Sequence, residues 1–327
     1  MYDYGLSTLS RYPVTLVDSF RVRGALMCRT GNGLFLLREF RGSKVRLEKQ
    51  QELLEHLREQ GFCVDVFLRN EEGELVTEGQ DGLSYTLCRW YEGKECDTRH
   101  ETDICRGTGL LAGLHKAMRL PDEEAVLCRS LEDEYQRHNQ ELRKIRKFIY
   151  KKGAAGAFEN AYLSSLEAFL KKGEEALELL RASDDQQLAQ QAFSEGCICH
   201  GAYNQHQILI SGTQTAAVNF QNWHYGLQME DLYGFMRKIL EKHSWNPDLA
   251  CLMLRTYHGV RPISPGEWEN LRIRFTYPEK YWKLADFYYS KKKAWISENT
   301  VEKLRKLIRQ RSSWENCVCR VFAVYPF

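Results

Sequence analysis

A short hairpin set two-thirds of the way along an otherwise helical stretch is the feature that most limits what this chain can fold into. Residues 199–210 read Cys199-His200-Gly201-Ala202-Tyr203-Asn204-Gln205-His206-Gln207-Ile208-Leu209-Ile210. A Ser211-Gly212-Thr213 turn follows, and then Ala217-Val218-Asn219-Phe220-Gln221. Apolar runs on either side of a glycine turn predict two paired strands. Helical periodicity flanks them on both sides, so the fold combines strands and helices.

The first ninety residues have the opposite balance. Val14–Arg23 and Ala25–Thr30 are strand-like, and Gly31-Asn32-Gly33 is a tight turn feeding Leu34–Phe40. Glu48–Gln60 carries Leu53, Leu54 and Leu57 at helical spacing and stops at Gly61. Phe62–Arg69, Glu74–Glu78 and Tyr85–Trp90 read as further strands. This is a small, mostly antiparallel sheet with one helix. From Thr102 the pattern turns helical: Thr102–Met118, Leu131–Lys152, Asn160–Ala182 and Asp184–Phe193 precede the hairpin. Asp231–His243, Pro247–His258, Pro265–Phe275, Glu279–Tyr289 and Val301–Arg311 follow it, and the chain ends in Val318–Tyr325. The fold class expected is α+β and bilobal, with an N-lobe over 1–91 and a helical C-lobe over 92–327 that carries the hairpin near 197–222.

A chain of 327 residues, 43% hydrophobic and 12% aromatic, has the material for two packed lobes and is not a disordered chain. A formal charge of +2 gives no ground for a nucleic-acid partner. The basic runs Arg143-Lys144-Ile145-Arg146-Lys147 and Lys303-Leu304-Arg305-Lys306 alternate with apolar residues and read as solvated helix faces. Eleven cysteines raise the question of metal or disulfides. There is no apolar leader and no run of about 18 apolar residues, so a soluble intracellular protein with reduced thiols and no membrane span is expected. Cys197-x-Cys199 and Cys317-x-Cys319 lack zinc-ribbon spacing; on strands each pair would share one face, which suits small buried hydrophobes as well as a metal.

The hairpin keeps the spacing of a phosphotransferase loop without its acids. Kinase-like enzymes carry His-x-Asp-x-x-x-x-Asn, followed by a strand ending in an Asp that binds magnesium. Here Ala202 stands at the base, Gln207 at the Asn and Asn219 at the magnesium Asp, with Gln221 two residues further. Loss of a positioned base typically costs about 10²–10⁴ in rate. Magnesium takes hard, charged oxygens, and these four side chains offer none. His200 and Gly201 keep the shape of the loop; His206 is a surface or packing residue.

Other residues fall in the same order along the chain. Leu36-Leu37-Arg38 with Arg41-Gly42-Ser43, Glu48, Leu87-Cys88-Arg89-Trp90-Tyr91-Glu92-Gly93, Leu111-Ala112-Gly113-Leu114-His115, the His200 loop, Asn219-Phe220 and Asp231-Leu232-Tyr233 cover nearly its whole length. The series resembles the spore coat protein S (CotS-like) family, within the aminoglycoside phosphotransferase and choline kinase branch of the kinase-like fold. The resemblance implies an ATP-type cleft, with Arg38 at the phosphate-binding Lys position and Glu48 as its partner. The plainer reading of that pair is a structural salt bridge, because a guanidinium fork replaces poorly a compact ammonium. The loop around Ser19–Gly24 holds one glycine and two arginines, too few glycines to cradle phosphates on backbone N–H groups. Asp231 stands where the family hydrogen-bonds back to the loop; it also suits the start of a helix.

Ala202, Gln207, Asn219 and Gln221 predict a catalytically inactive protein, and the resemblance implies a kinase-like spore coat protein, structural or scaffolding, with other coat proteins as partners and the coat as its destination. The alternatives are a divergent phosphotransferase acting on a small molecule or a protein, and a regulatory module that binds nucleotide without turning it over. No cofactor or metal is expected on the leading reading; ATP and magnesium belong only to the alternatives.

Overall fold

Short continuous apolar runs, buried on both faces, build the first sheet. β1 (Leu16–Val22), β2 (Ala25–Thr30) and β3 (Gly33–Glu39) form an antiparallel meander. The computed structural model describes residues 5–22, 24–121, 130–153, 156–290 and 298–323. Of the expected elements, Arg23, Val324 and Tyr325 lie outside the described residues. α1 (Lys44–Glu59) follows the meander and starts earlier than Glu48, because the Ser43 hydroxyl accepts the N–H of Arg46 and caps it. The chain then forms β4 (Cys63–Val64), β5 (Phe67–Leu68), β6 (Thr77–Glu78) and β7 (Ser84–Trp90).

The sheet order is β1-β2-β3-β7-β5, with β6 also on β7. Residues two apart share a face, so Leu26, Cys28, Phe35, Leu37, Tyr85 and Leu87 close one core, while Met27, Leu36 and Cys88 close the other. The single strand expected over 62–69 is two short ones. β4 leaves the first sheet to pair in parallel with the later hairpin, and Asp65-Val66 bridges the two sheets.

The second sheet holds the functional hairpin. After β8 (Lys94–Glu95) and α2 (Glu101–Ala117), the chain returns with β9 (Ile198–Cys199), β10 (Ile208–Ser211), β11 (Gln214–Ala217) and β12 (His224–Tyr225). β10 and β11 form the expected hairpin, and the sheet order is β4-β11-β10-β8. Val64 pairs with Ala217, so the residues just beyond each, Asp65 and Val218-Asn219, are brought side by side. Arg106 on α2 holds the hairpin turn, donating to the carbonyls of Gly212 and Gln214 at 2.8 and 2.9 Å.

The contacts group into two compact units, Met1–Leu120 with Gly196–His224, and Pro121–Glu195 with Tyr225–Phe327. This grouping differs from a division at 91/92: residues 92–120 and 196–224 join the first ninety because β4 and β8 are strands of the hairpin's own sheet.

The second unit is helical: α3 (Leu131–Lys152), α4 (Ala157–Arg181), α5 (Asp185–Ser194), α6 (Met229–Leu240), α7 (Pro247–Val260), α8 (Pro265–Thr276), α9 (Glu279–Ser290), α10 (Glu298–Arg309) and α11 (Arg311–Val321). Its interior is aromatic. Tyr135 stacks on Tyr277 at 3.7 Å, and Phe169 on Tyr281 at 4.3 Å. Arg237 is buried between Glu241 and Glu279. Burial alone would raise the Glu279 carboxyl, but Arg237 and Lys283 outweigh it and hold it at about 2. Residues 317–321 are helical and not strand. Trp314, Cys317 and Val321 turn inward at helical spacing, so Cys317 is buried and Cys319 exposed, and the two do not share a face.

Candidate functional site

The site is assembled from β3, the Asp65 bridge and the hairpin, all within the first unit. Arg38, the penultimate residue of β3, is half-buried, and its Nη2 donates to Asn219 Oδ1 at 2.7 Å. Asn219 Nδ2 donates to Gln207 Oε1 at 2.5 Å. The backbone N–H of Asn219 donates to Asp65 Oδ2 at 2.7 Å. These bonds fix Asn219 in the left-handed region at φ 65°, ψ 54°, an uncommon conformation for a residue other than glycine. The structure thus brings Arg38, Gln207 and Asn219 into one network. Gln221 is exposed beyond Phe220 and takes no part in it.

Glu48 is not the partner of Arg38. It receives a two-pronged ion pair from Arg69, with Nη1 at 3.1 Å and Nη2 at 2.7 Å. The register of α1 explains this: Gln50 and Gln51 lie on its buried face, and Glu48 is left at the rim. Gln51 Oε1 accepts the N–H of Phe67 at 2.9 Å and its Nε2 donates to the Phe67 carbonyl at 3.1 Å, tying the helix to β5.

Asp65 is the residue that sequence reasoning missed. It is 3% exposed, and its Oδ1 has no hydrogen-bond partner among the described residues. Burial raises its carboxyl to about 7, against the pull of the Asn219 N–H and of Arg38. The available signal was a lone acid within the apolar run Phe62-Cys63-Val64-Asp65-Val66-Phe67-Leu68.

The loop keeps its shape through buried contacts. His200 is fully buried; Nε2 lies 3.1 Å from the Val218 carbonyl, and Nδ1 accepts the N–H of Ala202 at 3.3 Å. Its ring packs on Phe220 and Tyr203, with centroids at 4.4 and 5.5 Å. Gly201 has φ +76°, and a Cβ there would lie 2.0 Å from the Asn222 carbonyl oxygen. Only glycine fits. Asn204 was also missed: it donates to the Ala202 carbonyl at 2.6 Å and accepts the N–H of His206 at 3.0 Å. His206 is exposed and pairs with Glu95 on β8 at 2.5 Å. Arg46 lies 4.7 Å from the Trp223 ring and donates to its carbonyl. Asp231 is buried in the first turn of α6, in the second unit.

The donor set does not suit a magnesium ion. The one side-chain oxygen of Asn219 is taken by Arg38, the oxygen of Gln207 by Asn219, and the Asp65 carboxyl is partly protonated near neutral pH. Ala202 presents a methyl group where a proton acceptor would be needed. Among the described residues no group of three or more His, Cys, Asp and Glu could hold a metal, and the cysteines described are free thiols. No helix among them is long and apolar enough to cross a membrane.

Comparison with known proteins identifies the family and the fold. Residues 8–321 match the family described as "Spore coat putative kinase YutH". The chain is 23% identical to spore coat protein S of Bacillus subtilis (strain 168), over 97% of this chain and 93% of that protein. The fold is similar to the crystal structure of an aminoglycoside phosphotransferase from Alicyclobacillus acidocaldarius, with a TM-score of 0.86 at 17% identity, covering 96% of this chain and 93% of the other. A spectinomycin phosphotransferase in complex with ADP and spectinomycin has a TM-score of 0.62 at 10% identity, with 96% of each chain covered. The kinase-like α+β fold is therefore the fold of this chain.

Proposed function

The chain belongs to the YutH family of spore coat kinase-like proteins, and we propose that it serves the coat as a catalytically inactive member, structural or scaffolding in role. The observation that carries this reading is the internal hydrogen bonding of the cleft. Arg38, Asn219 and Gln207 satisfy one another, so the positions that would bind metal and phosphate in an active relative are engaged with their own neighbours. Ala202 removes the base as well. Retention of His200, Gly201 and the hairpin favours a scaffold kept for its shape. The relative named spore coat protein S supports the coat as destination and coat proteins as partners. On this reading the protein needs no cofactor.

A second reading is a divergent phosphotransferase, and Asp65 is the observation that favours it, as a carboxylate beside the Asn219 backbone. Phosphate release and transfer from labelled ATP with magnesium, with water, the protein itself and spectinomycin as acceptors, separates the two. The proposal expects background counts throughout. Turnover that magnesium supports, that chelation abolishes and that Asp65→Asn removes would establish the second reading.

A further inference from the structure

The C-terminal half of α3 presents an unusual exposed face. Residues 143–152 read Arg-Lys-Ile-Arg-Lys-Phe-Ile-Tyr-Lys-Lys, six cations and no acid. Leu142, Ile145 and Ile149 turn into the core. At 100° per residue, Lys147 and Lys151 then point away from it, with Lys144 beside them. Phe148 lies on one shoulder of this stripe and Tyr150 on the other. They are 51% and 69% exposed.

Arginines and lysines behave differently here. Arg143 pairs with Glu174 and Arg146 with Glu167 at 3.5 Å, both acids on α4. Lys144, Lys147, Lys151 and Lys152 are exposed and have no ion-pair partner among the described residues. The helix dipole favours cations in the last turn, which accounts for Lys151 and Lys152. It does not account for Lys144 and Lys147, or for two large aromatic rings left in water. Phe148 also meets Tyr289 of α9 edge-on at 5.4 Å, so its ring is held at the edge of the stripe.

We propose that this face of α3 docks on an anionic phospholipid surface. The lysines supply the long-range attraction, each lysine near such a surface strengthening binding about fivefold. Phe148 and Tyr150 supply amphipathic rings suited to the headgroup layer, which a purely electrostatic contact with an acidic protein does not require. The surface lies in the second unit and is independent of the cleft, so it stands whether or not the cleft is active.

The test is co-sedimentation of the full-length protein with vesicles of phosphatidylcholine alone and of phosphatidylcholine mixed with phosphatidylglycerol. Binding is expected only to the mixed vesicles and is expected to fall with added salt as the charges are screened. The triple variant Lys144→Gln/Lys147→Gln/Lys151→Gln is expected to lose about a hundredfold in affinity, and Phe148→Ser/Tyr150→Ser to lose affinity in a salt-insensitive way. Unchanged circular dichroism and melting temperature show that these surface variants stay folded. Equal binding to both vesicle types, equal binding by the triple variant, or no binding to either vesicle overturns the proposal. Binding to polyglutamate without binding to vesicles also overturns it and marks the face as a protein-docking one.

Discussion

Replacing Asp65 by Asn should flatten the pH dependence of stability. Asp65 is buried beside Arg38, with Cys88 and Tyr91 the other titratable groups that feel its charge. Its carboxyl titrates at about 7 in the folded protein against 3.8 for the ordinary group. Between those values the native state holds a proton that the unfolded chain has released. Stability therefore falls as pH rises through this window, by about 1.4 kcal/mol per unit, and levels off above about pH 7. Over roughly three units the loss is about 4 kcal/mol, net of the attraction of Arg38. Asp65→Asn is close to isosteric and neutral throughout, and its carbonyl can still accept the Asn219 N–H. Urea unfolding should give the two proteins nearly equal stability at about pH 3.5, and the variant should be more stable by about 3–4 kcal/mol at about pH 8. A constant difference between them at both values would refute the reasoning. A variant less stable at the higher pH would show that the ionised Asp65–Arg38 pair stabilises the fold.

Two further changes probe the supports of each unit. Gly201→Ala forces a Cβ against the Asn222 carbonyl at a positive φ; it should cost more than about 2 kcal/mol in unfolding free energy and disturb the His200 loop. An Ala variant as stable as the wild type would mean the loop is not held as described. Arg237→Leu leaves the half-buried Glu241 without its counter-charge and Glu279 with Lys283 alone, and should cost about 2–4 kcal/mol near neutral pH. Because Glu279 is held at about 2, that deficit should shrink in acid as its carboxyl becomes protonated. A loss independent of pH would assign the effect to packing.

Local pattern made the order of elements legible, because the strands of the first ninety residues and the helices after Thr102 each follow their own period. The β10–β11 hairpin was equally plain, being closed by the two-residue turn Gly212-Thr213. What stayed hidden depends on distant pairing. β4 joins β11 in parallel across some 150 residues, and no periodicity within 62–69 tells where such a strand will leave its sheet. Asp65 was missed for that reason, although a lone acid in an apolar run was visible. The Arg38–Glu48 pairing failed on a helix boundary: Ser43 starts α1 early, and the resulting register turns Glu48 to Arg69. At the C-terminus, the Cys317-x-Cys319 spacing left strand and helix open, while Trp314, Cys317 and Val321 carry the helical period that packing selects.

The proposed inactivity requires that the cleft not assemble metal-dependent phosphate binding, and calorimetric titration with ATP tests this most directly. Three proteins are compared, with magnesium and with a chelator: the wild type, Arg38→Ala, and the triple variant Ala202→Asp/Gln207→Asn/Asn219→Asp. The wild type should give no heat that depends on magnesium, and the triple variant should gain a magnesium-dependent component. Micromolar, magnesium-dependent binding of ATP by the wild type, lost in Arg38→Ala, would contradict the claim.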